Sequence, residues 1–101
     1  MNNESLAVDE LEKCFDDVLG QMGKQFTSHE FILKIAHLHQ KEYVAGLAAY
    51  TEGGKPFRDL HHALVRRLKT LKGTSLTLKE SNYPSRDIFG TASYSGLWRK
   101  L

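Results

Sequence analysis

Apolar residues recur at three- and four-residue steps along the first seventy-odd positions and then change to alternation, so helices are predicted first and strands last. From Ser5 to Met22 the recurring positions are Val8, Leu11, Phe15, Val18, Leu19 and Met22. This spacing predicts an amphipathic helix over 5–22, with Ser5 as its cap and Gly20 and Gly23 marking its end. Gln25-Phe26 is a tiny strand or an extended linker. Thr27-Ser28-His29-Glu30 fits a capping box, with Phe26 before the cap and Phe31 at the fourth helical position as a hydrophobic staple. A second helix is predicted over 28–50, buried through Phe31, Ile35, Leu38, Val44, Leu47 and Ala48. Thr51 to Lys55 is turn chemistry, and Pro56 suits the first turn of a third helix over 56–72, with Gly73 as its cap. After Gly73 the period is two. Leu76 and Leu78 share one face of a strand over 74–80, a polar loop covers 81–95, and a closing strand covers 96–101. The expected fold is α+β, mainly α with a small β-hairpin, in one domain spanning 1–101.

The third helix carries the most informative pattern. With Arg58 at zero and steps of about 100°, Phe57, Leu60, Leu64, Leu68 and Leu71 fall in one arc from roughly 200° to 280°. Arg58, Lys69, His62 and Arg66 fall between about 0° and 80°, with Lys72 and His61 just beyond. One stripe enters a core and the other is a basic ridge. Val65 interrupts the ridge.

Charge is divided along the chain in the same sense. The overall net charge of +2 is made of −5 over residues 1–30 and +7 over residues 31–101. A basic body behind an acidic first helix suits an anionic polymer or head-to-tail self-pairing. No apolar run approaches the ~18 residues of a membrane span. The opening stretch MNNESLAVDELEK has neither the basic nor the apolar region of a secretory signal, and the single Cys14 cannot form an internal disulfide. A cytoplasmic location without membrane association is expected.

Candidate chemistry is sparse. His37 and His39 are about 200° apart on a helix and His61 and His62 about 100°, so neither pair chelates one ion, and no metal site or cofactor is expected. His29 sits in a first helical turn, where positive charge is disfavoured. Gly53-Gly54-Lys55 lacks the spacing and the preceding strand of a phosphate loop. Cys14 has no nucleophile motif around it, and Asp16-Asp17 read as a solvated face. No catalytic residues are identified, and an enzyme is not expected.

The order of Gln25-Phe26, the helices 27–50 and 56–72, and the strands 74–80 and 96–101 resembles the winged-helix variant of the helix-turn-helix fold. That resemblance implies a duplex-DNA-binding protein with a regulatory or mobile-element role. Its third helix would enter the major groove through Arg58, His62, Arg66 and Lys69, and Lys79 and Arg86 would serve the wing; the basic face itself adds His61 to the residues expected to reach phosphates and base edges. The alternative is a protein-interaction module or homodimeric adaptor using the apolar face of helix 5–22.

Overall fold

The long helices of the sequence pattern are broken where the chain wraps its own core. The computed structural model describes residues 3–101. Its elements are α1 (Asn3–Glu12), α2 (Phe15–Gly20), β1 (Gln25–Thr27), α3 (Ser28–Leu38), α4 (Gln40–Ala49), a 3-10 turn (Thr51–Gly53), α5 (Pro56–Lys69), β2 (Leu76–Arg86) and β3 (Ala92–Lys100). The architecture is α+β. The sheet is antiparallel in the order β1-β3-β2, so the last strand lies in the middle.

The first predicted helix, 5–22, is two helices. At Cys14 the backbone N–H bonds to Leu11 rather than to the residue four back, which tightens the turn before α2 begins. The stripe survives the break. Val8, Leu11, Phe15, Val18 and Leu19 are all buried in the chain's own core, and Met22 packs against it. Arg67 of α5 bridges to Asp9 at 2.8 Å and to Glu12 at 2.6 Å, so the acidic flank of α1 docks on the basic body within one molecule.

The second predicted helix, 28–50, also breaks. Its start is as expected: Thr27 Oγ1 accepts from the Glu30 N–H, the Thr27 N–H donates to Glu30 Oε1, and Phe26 and Phe31 stack in the core. At His39 the backbone leaves helical geometry (φ −127°, ψ 57°). That residue resets the helical phase, so Tyr43 turns inward, while Val44 is 62% exposed and Leu38 lies outside the core. Gly46 is not the bend. A β-carbon there would lie 3.0 Å from Leu11 Cδ1 and 3.1 Å from Leu60 Cδ1, so its bareness lets α4 pack closely on α1 and α5.

The third helix is close to expectation. Pro56 is at its start, and Leu60, Leu64 and Leu68 are fully buried. It ends at Lys69 rather than 72. Residues 70–75 form a turn in which the Leu71 carbonyl accepts from the N–H groups of Thr74, Ser75 and Leu76. Gly73 takes φ 90°, which favours glycine. Phe57, assigned to the apolar arc, sits at the helix mouth and is exposed.

The hairpin departs most from expectation. The predicted loop 81–95 is largely strand: β2 runs to Arg86 and β3 starts at Ala92. Pro84 lies inside β2, tolerated because β2 is an edge strand. Register shifts between Leu78, Glu80 and Tyr83 mark bulges where this long strand bends. Trp98 on the central strand faces Phe26 on one side and Leu78 on the other, and is fully buried.

Candidate anion-binding groove

A groove of about 670 Å³ opens between α5 and the hairpin. One wall is α5, with Arg58, His62, Arg66 and Lys69. The other is the hairpin, with Ser81, Ser93, Tyr94 and Ser95, and the start of α3 contributes Ser28, His29 and Ile32 to the floor. Two sets of contacts fix its width. At the hairpin tip, Phe89 meets Phe57 edge to face with ring centroids 5.0 Å apart. Just before the tip turn, His29 Nδ1 and Ser85 Oγ share a hydrogen bond of 2.9 Å, and Ser85 Oγ donates to Thr27 Oγ1 at 3.2 Å. The cap that starts α3 is thereby tied to β2.

Of the seven residues expected to contact DNA, five lie along this groove and two do not. Arg58, His62, Arg66 and Lys69 are exposed on the α5 wall. Among the described residues, Arg66 and Lys69 carry no ion pair, whereas Arg58 Nε is 3.0 Å from Asp59 Oδ1. The last turn of α5 is also where basic residues suit the helix dipole, an ordinary structural reason for Arg66 and Lys69 to be there. His61 is half-buried and shares a 2.6 Å hydrogen bond between Nε2 and the Tyr43 hydroxyl. Lys79 lies within strand β2, as the predicted strand 74–80 has it, and it does not line the groove. Arg86 ends β2 and donates to the Gly90 carbonyl at 2.7 Å, so it closes the hairpin turn. Val65 is half-buried and lines the groove.

Three titrations are displaced here by burial. His61 is pushed down to about 4 by desolvation, with His29 and His62 adding repulsion and Asp87 opposing. His29 is also lowered, chiefly by burial. The Tyr43 hydroxyl is pushed up to about 12. At neutral pH the inner histidines are therefore uncharged, and the positive charge of the site comes from arginine and lysine. Because the unfolded chain binds a proton on His61 near 6.5 and the folded chain only near 4, stability is full above 6.5 and declines as pH falls towards 4. The decline due to this group is at most about 1.4 kcal/mol per pH unit. His61→Gln, which keeps a hydrogen-bonding group without titrating, is expected to flatten that part of the curve in urea denaturation followed between these pH values.

Asp87 is the one carboxylate on the lining. Its Oδ1 accepts from the N–H groups of Phe89 and Thr91 at 3.0 Å each, which organises the 87–91 turn. Ser95 Oγ is shielded from solvent and has no hydrogen-bond partner among the described residues. Residue patterning does not single out Ser85, Asp87, Tyr94 or Ser95. Asp87, three residues before a glycine at the end of a polar stretch, carries a turn signal. The serines carry none, because their role depends on strand pairing.

Among the described residues no cluster of three metal-ligating side chains occurs, and no helix is long and apolar enough to cross a membrane. No protein-family model, curated protein or solved structure matches the chain.

Proposed function

We propose that the protein is a non-enzymatic duplex-DNA-binding domain of winged-helix type. In this reading α5 is presented to the major groove and the β2–β3 hairpin is the wing. The observation that carries it is the ridge of Arg58, His62, Arg66 and Lys69 on one exposed face of α5, with Arg66 and Lys69 unpaired among the described residues. The sheet order β1-β3-β2 and the hairpin lying beside α5 support it. Basic side chains displace condensed counterions from phosphates, while neutral polar groups on the same helix reach base edges.

Titration of random-sequence duplex at low salt tests the reading directly. Binding is expected to weaken steeply with salt. Arg66→Glu with Lys69→Glu is expected to weaken binding to all sequences, by about tenfold or more, and to reduce the salt slope by about two. A wild-type protein that leaves the duplex unshifted at low salt would remove the proposal. The competing reading, a homodimer through the apolar face of the first helix, has lost its motive, because that stripe is buried within the chain.

A further inference from the structure

We propose that the groove between α5 and the hairpin is itself a binding site for a small phosphate monoester carrying a planar ring, of mononucleotide size. The volume, about 670 Å³, lies within the usual range for small-molecule sites. Its chemistry is graded as such a ligand requires. Ile32, Val65 and Leu78 give an apolar floor, and Arg66 and Lys69 stand on the rim without ion pairs among the described residues. The single facing acid, Asp87, has one oxygen committed to two backbone N–H groups of its own turn. The inner histidines are neutral at pH 7, so they neither add to nor oppose the anion.

The hairpin wall supplies the surface for the ring. Tyr94 is 62% exposed, lines the groove and has no ring neighbour among the described residues. An exposed ring facing a cationic wall is a stacking platform for a planar ligand whose phosphate meets the cations. The ligand places its phosphate on Arg66 and Lys69 and its ring on Tyr94.

This site does not rest on the duplex-binding reading, although the two share Arg66 and Lys69. Titration of the full chain with AMP, followed by amide NMR, tests it, with adenosine and inorganic phosphate as separate arms. AMP is expected to shift the amides of Val65, Arg66, Tyr94 and Ser95, and neither adenosine nor phosphate alone is expected to match its affinity. Ser93→Trp, which fills the groove from an exposed position, is expected to abolish the shifts. Tyr94→Ala is expected to weaken AMP about fivefold or more by removing the stacking surface. Both variants are expected to keep native spectra, and the wild-type protein is titrated with duplex and with AMP separately, so the two proposals fail separately. Absence of AMP shifts up to about 10 mM, a concentration that would reveal even very weak sites, overturns the site. So does inorganic phosphate reproducing them at equal affinity, or AMP binding undiminished by Ser93→Trp. If Ser93→Trp does not fold, Tyr94→Ala takes its place, and undiminished AMP affinity in that variant overturns the proposal equally.

Discussion

Replacing Phe15 by alanine is expected to destabilise the protein by about 3–5 kcal/mol, the range for deleting a buried aromatic ring. Phe15 opens α2 immediately after the break in the N-terminal helix and is 3% exposed. Its ring stands edge-on to Phe31 at 4.9 Å, and Phe31 stacks in turn on Phe26. Truncation would therefore leave a cavity where α2, α3 and β1 meet, in a fold whose total stability is of order 5–15 kcal/mol. Phe15→Glu separates burial within the chain from burial between two copies. A carboxylate in this core has no partner, so the variant is expected to be unfolded or molten, not a folded monomer. Urea denaturation monitored by circular dichroism checks both variants. A well-folded Phe15→Glu with wild-type stability would show that the stripe faces a second molecule after all.

Trp98→Ala is expected to cost a similar amount, about 3–5 kcal/mol. Trp98 is fully buried on the central strand, so its loss loosens both strand pairings together with their contact to α3. Its indole N–H donates to Ser28 Oγ at 2.9 Å, joining the sheet to the first residue of α3. Trp98→Phe is expected to be milder in packing but to strand Ser28, a nearly buried hydroxyl, at a cost of about 1–3 kcal/mol. Pairing it with Ser28→Ala removes the stranded group and is expected to recover part of the loss. Recovery in the double variant, measured by chemical denaturation, is the signature of the hydrogen bond as distinct from volume. Additive losses would show that the bond contributes little.

Both residues are legible in the sequence as apolar positions, but for different reasons and to different depths. Phe15 belongs to a three- and four-residue repeat, a signal that survives a break in the helix because the break preserves the inward face. Tyr43 and Val44 show the opposite outcome. The repeat assigns Val44 to the core, and one non-helical residue at His39 rotates the following turn so that Tyr43 takes its place. No local propensity marks that residue. The bend follows the packing of α4 onto α1 and α5, where Gly46 admits Leu11 and Leu60. The hairpin is hidden in the same way. Ser, Asn, Pro and Gly between 81 and 96 are turn formers in isolation, yet most of this stretch is strand, because ladder hydrogen bonds to a neighbour override weak intrinsic preference.

Local chemistry alone determined the capping box at Thr27, the proline start of α5, the core arc of Leu60, Leu64 and Leu68, and the basic ridge opposite it. Each depends on residues within a turn or two of one another, where backbone geometry is the same in any fold. The groove was decided by tertiary structure. Its far wall is built from residues 81–95, brought beside α5 by pairing of β2 with β3 and held there by Phe57 with Phe89 and by Ser85 with the α3 cap. Contacts between positions some thirty and nearly sixty residues apart leave no periodic trace in a sequence, since each partner is selected by where the other ends up and not by what stands next to it.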